Sequence, residues 1–263
     1  FGFVSVQPSE FLKPGFMVVI AWLMASSQDL NGPPGRLISF GLVVTVVLLL
    51  AFQPDFGQAM LVLFGWGVIY FVSGAPMLLI IAVLGLTGIG GMTAYNTSEH
   101  FARRIDGFLA SDVDPRSQMG YATSAIQEGG FFGVGVGEGQ VKWTLPDAHT
   151  DFIIAVAAEE YGLILVLVII ALYTTVVVRS LFRLTRERDP FIRLAGTGLA
   201  CIFGVQAMIN LGVAVRLLPA KGMTLPFVSY GGSSVIAAGI TVGMLLAMTL
   251  VRPQGTMSDI FRR

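Results

Sequence analysis

The sequence predicts an all-α, polytopic membrane helix bundle, and three observations carry that prediction. Hydrophobic residues make up 54% of the chain and charged residues 12%, with mean hydropathy +0.78, far more apolar than a soluble domain. Apolar runs of membrane-spanning length recur between tight breaks marked by Pro and Gly. Ionisable residues inside those runs are few and clustered, the pattern of intramembrane pairs or sites.

The runs place seven spans at roughly 9–27, 36–52, 54–73, 76–95, 151–179, 191–214 and 229–251. Turn signals separate the first four: Asn31-Gly32-Pro33-Pro34-Gly35, Gln53-Pro54-Asp55 and Ser73-Gly74-Ala75-Pro76, where Pro suits a following helix start. One continuous helix through Pro54 would lose its hydrogen-bond ladder there, so a sharp hairpin is expected. The lone Cys201 excludes an internal disulfide, and with only His100 and His149 beside it a Cys/His metal site is not expected. A formal net charge of zero gives no signal for nucleic acid or acidic substrates. The chain opens at Phe1 without a charged n-region, and it reads as a single domain over 1–263 that forms the C-terminal portion of something longer.

Orientation follows from Arg and Lys in the short loops. With the 180–190 loop cytoplasmic, that side collects Arg36, Arg179, Arg183, Arg186, Arg188, Arg193, Arg252, Arg262 and Arg263, against Arg103, Arg104, Arg116, Lys142, Arg216 and Lys221 opposite, and the short loops decide because long segments weigh little. The long 96–150 segment is then extracytoplasmic, as is the start of the helix near Asp151. Within that segment, residues 98–110 and 116–128 mix apolar and charged side chains and suit short amphipathic helices along the membrane interface, joined by a turn at 111–115. The glycine run from Gly129 to Gly139 follows no strand and lacks a Gly-Lys-Ser/Thr ending, so conformational permissiveness explains it better than a phosphate cradle.

The stretch Leu145-Pro-Asp147-Ala-His149-Thr-Asp151-Phe152 sets two carboxylates and a histidine where this polar loop enters a membrane helix. Chemistry at the membrane surface is one reading. Helix capping by Thr150 or Asp151 is the other, because either side chain can satisfy open first-turn amides. Inside the spans, Glu10 and Lys13 share a helix face and can pair with each other or with a neighbour. Glu159 and Glu160 lie about 12 to 14 Å beyond Asp151 along their helix. Two carboxylates at that depth need partners, and Lys13 is the expected one, in either a structural or a functional ion pair. Gln206 and Asn210 read as interhelical glue. The segment from Arg216 through Lys221 to Ser234 carries two prolines, a glycine pair and several serines, among them Ser229 and Ser233. Backbone this irregular beside a span belongs in protein or at a wet cavity, where an anionic ligand could be held.

Four motifs, in matching order across nearly the whole chain, resemble the SEDS family of shape, elongation, division and sporulation proteins. They are Gln7-Pro-Ser-Glu-Phe-Leu-Lys13-Pro, Gln53-Pro-Asp-Phe-Gly57, Leu145-Pro-Asp-Ala-His-Thr-Asp-Phe152 with Glu159-Glu160-Tyr-Gly162, and Lys221-Gly-Met-Thr-Leu-Pro-Phe-Val-Ser-Tyr-Gly-Gly-Ser-Ser234. The Lys-Gly-Met-Thr-Leu-Pro wording is closer to division members than to elongation members. The resemblance implies a membrane glycosyltransferase that polymerises lipid II into glycan strands at the septum of a bacterial plasma (inner) membrane, with its site on the extracytoplasmic face. It also implies a class B penicillin-binding transpeptidase and other division proteins as partners, beside membrane lipid. Family members have about ten spans, so some three N-terminal ones would be missing here. Asp151 matches the family's catalytic aspartate. Position 147 is usually Glu and is Asp here, a departure that shortens the side chain.

The residues fit that chemistry in their own right. A sugar hydroxyl attacking an anomeric carbon needs one general base, the role expected of Asp151. A polyprenyl pyrophosphate leaves as a stable anion and needs cations or donors rather than a second acid, which Lys221, Arg216, His149, the serines or a divalent Mg or Mn ion would supply. No organic cofactor is expected. The rival reading is a flippase for lipid-linked precursors, since broken helices and buried charges suit transporters too. One-sided placement of the polar groups and the absence of a visible internal repeat weigh against it.

Overall fold

The computed structural model describes residues 7–29, 32–109, 117–219 and 222–250. Its elements are α1 (Pro8–Ser26), α2 (Gly35–Phe52), α3 (Phe56–Val72), α4 (Met77–Thr97), α5 (Glu99–Leu109), α6 (Gln118–Gly129), a single 3-10 turn (Val141–Trp143), α7 (Ile153–Leu184), α8 (Pro190–Ala214) and α9 (Gly232–Thr249). No strand occurs among the described residues. Six of these helices are long and apolar enough to cross a membrane, and α3, at 17 residues, is a shorter apolar seventh. The seven expected spans are therefore all present as helices. The chain is a polytopic membrane helix bundle.

Local chemistry explains most boundaries. The expected hairpin at Pro54 forms: α2 stops at Phe52, and the Asp55 carboxylate caps α3 by accepting the Gln58 amide at 3.3 Å. Pro8 and Pro190 open α1 and α8, and Asp189 caps α8 through the amides of Phe191 and Ile192. The expected turn at 111–115 lies outside the described residues.

Helix α8 is the central post, packed against α1, α3, α7 and α9. Small residues let its neighbours close in, as van der Waals packing between spans requires. A Cβ on Gly198 would stand 2.5 Å from Ile69 of α3, and one on Gly204 would stand 2.8 Å from Val177 of α7. Met17, Ile20, Met24, Leu61, Trp66 and Leu199 fill the core between α1, α3 and α8. Helix α4 differs. Only Val83 is buried on it, and Leu78, Ile81, Leu84 and Ile89 face outward.

The two short helices of the long loop form where amphipathicity places them, but they pack differently. Helix α5 buries no described residue fully and rests on α4 with Phe101 edge-on to Phe56, whereas α6 buries Gly120, Ala122, Ala125 and Gly129 and packs on α7 rather than lying free along an interface. The glycine run then folds back into a break in α7. At Gly162 the helix adopts φ 76° and ψ −178°, a conformation open almost only to glycine. The loop backbone fills the interrupted ladder: the amides of Val134 and Gly135 donate to the carbonyls of Glu159 (2.9 Å) and Glu160 (3.2 Å), and the Leu163 amide donates to Gly130 (2.9 Å). A Cβ on Gly162 would lie 2.3 Å from the Phe131 carbonyl oxygen. Gly162→Ala is therefore expected to destabilise the protein by about 2 kcal/mol or more. The thermal midpoint of the detergent-solubilised full-length protein measures this, and an unchanged midpoint would show the loop is not seated in the kink.

Candidate functional site

Three buried side chains, Leu145, Ala148 and Phe152, pin the segment 145–152 into a small apolar cluster with α6, α7 and α8. Their spacing leaves Asp147 and His149 exposed and Asp151 half-buried. The Asp147 backbone, at φ 56°, turns its carbonyl to accept the amides of Thr150 (3.1 Å), Asp151 (3.1 Å) and Phe152 (3.3 Å). Its side chain is near Gln118 of α6, at 3.5 Å. The N-cap position of α7 is Phe152, with no side-chain cap, and the Thr150 hydroxyl donates back to Asp147 at 3.2 Å. The N-cap position thus falls on Phe152 rather than on Thr150 or Asp151.

Asp151 is held through its backbone. The Asn210 side chain on α8 donates from one NH2 group to the carbonyls of Asp151 (3.0 Å) and Met223 (2.6 Å), so a single amide ties the α7 entrance to the loop before α9. Ser229 makes a second tie: it accepts the Leu225 amide at 2.8 Å and donates to the Thr150 carbonyl. A third runs from the Tyr230 amide to the His149 carbonyl, at 2.8 Å. Gly222, at φ 60°, lies close to the Asp151 carboxylate, with one oxygen 3.4 Å from where a Cβ would stand. Asn210 is thus a clamp on two loops, a role its apolar sequence context does not announce.

Beside this clamp lies an open groove of about 850 Å³ lined by His149, Ile153, Val228, Ser229, Tyr230 and Gly232, with Val235 and Ile236 continuing it along α9. His149, Ser229, Tyr230 and the start of α9, which has no side-chain cap, give it its polar groups, and Ile153, Val228, Val235 and Ile236 its apolar wall. Of the anion-binding candidates, Ser229 borders the groove but spends its hydroxyl on the clamp, and Ser233 is buried on the first turn of α9. Arg216 is half-buried on the turn after α8, at φ 59°. Lys221 lies outside the described residues. Among the described residues no three His, Cys, Asp or Glu side chains converge as a metal site would require.

The buried charges form two separate networks, which corrects the expected pairing of Lys13 with Glu159 or Glu160. The Lys13 ammonium, 3% exposed, contacts Glu10 on its own helix at 2.8 Å and donates to Gln206 of α8 at 2.7 Å. Glu10 in turn accepts from Gln58 of α3 at 2.6 Å, and Gln206 donates to the Thr224 carbonyl at 3.0 Å. Glu160 instead pairs with Lys142, and Glu159 accepts the amides of Gln140 (2.6 Å) and Val141 (2.9 Å). The cause is the loop itself: folded into the α7 kink, it supplies those partners before Lys13 can. Lys142 enters the sequence reading only as a loop charge, and backbone amides leave no side-chain trace that could have announced the rest.

Comparison with known proteins places this geometry. The chain is 44% identical over 249 residues to the probable peptidoglycan glycosyltransferase FtsW of Caulobacter vibrioides, covering 95% of this chain and 64% of that protein. It is 35% identical to the protein of the same description from Allochromatium vinosum, covering 100% and 68%. The chain thus spans about two thirds of the length of these relatives. Among solved structures, a peptidoglycan synthase complex described as coordinating polymerization and crosslinking matches with TM-score 0.75 and 30% identity, over 97% of this chain and 73% of that one. The rod shape determining protein RodA of Thermus thermophilus matches with TM-score 0.63 and 28% identity, over 95% and 67%. The family model described as cell cycle protein, which groups FtsW, RodA and SpoVE, matches residues 1–252, and the chain belongs to that family, the SEDS family its motifs resemble.

Proposed function

We propose that this chain is the catalytic membrane core of a peptidoglycan glycosyltransferase that polymerises lipid II during cell division. The observation that carries this reading is the position of Asp151, clamped at the entrance of α7 within the same loop junction that borders a groove with both polar groups and an apolar wall. An amphiphile with a charged head and a polyprenyl tail matches that shape. Asp151 takes the proton of the acceptor sugar hydroxyl as its oxygen bonds to the anomeric carbon of the donor; the anomeric C–O bond breaks and the pyrophosphate leaves with the bonding pair. His149 and the uncapped amides at the start of α9 stabilise that anion, as helix N-termini do. Arg216 and Lys221 are assigned to the same task. A Mg or Mn ion would arrive held chiefly by the pyrophosphate oxygens, the usual way Mg binds substrate phosphates.

The names of the relatives support glycosyl transfer and division, and the matched synthase complex supports a class B penicillin-binding transpeptidase as partner. The plasma (inner) membrane at the septum, with the site on its extracytoplasmic face, is the corresponding location. Full-length protein with its transpeptidase, given fluorescent lipid II, is expected to yield a polymer ladder on a gel. Movement of lipid II across a bilayer without polymer would transfer the assignment to a flippase. The facing of the site has its own test, motivated by the Arg asymmetry of the short loops. In a Cys201-free full-length protein, single cysteines at Ser111 and Thr185 are expected to label from opposite sides, Ser111 from outside; labelling of both from one side would remove the site from the required compartment.

A further inference from the structure

We infer that Glu159 is a positioning residue, whose buried carboxylate sets the register of the loop that delivers Asp147, His149 and Asp151 by holding the backbone amides of Gln140 and Val141. The inference rests on the reading of Asp151 as the base, and it assigns Glu159 no contact with substrate. Glu159 is 1% exposed on α7, and among the described residues its carboxylate meets no cation, since Lys142 is engaged by Glu160. Burying a carboxylate without a counter-ion is costly unless donors are fixed around it. The donors here are two successive loop amides, both on one oxygen, at 2.6 and 2.9 Å. The second oxygen has no partner.

The loop comes this close because residue 139 is glycine: a Cβ there would stand 2.9 Å from the Glu159 carboxyl carbon. Around that contact the Glu159-Glu160 pair holds both limbs of the loop. Its carbonyls take the amides of Val134 and Gly135 from the incoming limb, while Lys142 on the outgoing limb bonds both Glu160 and the Gly137 carbonyl (3.1 Å). The held amides open the 3-10 turn, whose Val141 carbonyl accepts the amides of Thr144 (3.0 Å) and Leu145 (2.9 Å). Val141 and Leu145 then sit in the same apolar cluster as Ala148 and Phe152. A shift at Gln140 is thus handed on, through a single turn, to both ends of the segment bearing Asp151.

The test uses full-length protein with its transpeptidase, lipid II kinetics, and hydrogen exchange of peptides covering 137–145. Glu159→Leu is expected to lower kcat by about ten-fold to a hundred-fold with KM little changed, the signature of misplaced rather than missing groups. Exchange across 137–145 should rise while α8 is unaffected. Glu159→Gln, which keeps an acceptor for both amides, is expected to restore kcat to within about three-fold of wild type. Gly139→Ala keeps the carboxylate and pushes the loop off it, so it should reproduce the Leu signature even if Glu159→Leu fails to fold. Asp151→Asn should abolish turnover without changing loop exchange. Should Asp151→Asn stay active, the base assignment falls while the loop exchange of the Glu159 variants still reports the anchor. A kcat that falls with no change in loop exchange, or a Gln variant as impaired as Leu, would overturn the positioning role.

Discussion

Asp151→Asn is expected to abolish glycan polymerisation while leaving the fold intact. Asparagine matches aspartate in size, and two ties that place residue 151 run through its backbone: the amide to Asp147 at 3.1 Å and the carbonyl to Asn210 at 3.0 Å. The α7 N-cap does not use its side chain either. The variant therefore keeps both backbone ties while removing the base. A carboxamide does not accept a proton at neutral pH, and loss of a general base typically costs about 10²- to 10⁴-fold. Turnover of fluorescent lipid II should fall by that factor, with expression, thermal midpoint and transpeptidase binding preserved. Asp147→Asn, on an exposed and already shortened side chain, should retain some activity and so controls for a generic charge effect. Substantial polymer from Asp151→Asn would refute the catalytic role; a wild type that only moves lipid II, and an Asp151→Asn variant that stops moving it, would favour the transporter.

The second large effect is expected at Lys13. Lys13→Met removes the only cation that contacts Glu10 among the described residues, at a point where both side chains are nearly fully buried and where α1, α3 and α8 meet. Breaking one half of a buried pair strands the other charge and costs about 3–5 kcal/mol, whereas removing both charges costs much less. The single variant should therefore lose abundance and thermal stability in the full-length protein. Adding Glu10→Gln should recover a large part of the loss, a non-additivity that marks direct contact. Combining Lys13→Met with Glu159→Gln should be additive, because the two groups belong to separate networks. Recovery through Glu159 instead of Glu10 would show that the networks are wrongly divided.

These two sites differ in how much of them the sequence discloses. Glu10 and Lys13 are three apart on a helix, and their pairing is legible because helical spacing brings them onto one face. Asp151 is legible as a candidate because an acidic, histidine-bearing loop meets an apolar run, a pattern independent of what lies across from it. What opposes each residue is another matter. Glu159 and Glu160 announce a need for partners but not which ones, and nearness in the membrane made Lys13 plausible when the loop was in fact closer.

The sequence by itself determined the membrane class, the seven spans, the hairpin at Pro54 and the two short loop helices. Those rest on run length, period and proline stereochemistry, all set within a few consecutive residues. Only the tertiary structure decided that the glycine run splices into α7 at Gly162, that Asn210 clamps two loops at once, and that one Glu159 oxygen is held by two main-chain amides. The physical reason is common to all three. Every residue carries the same backbone donor and acceptor, so contacts made by the main chain between distant segments leave almost no mark in the order of side chains.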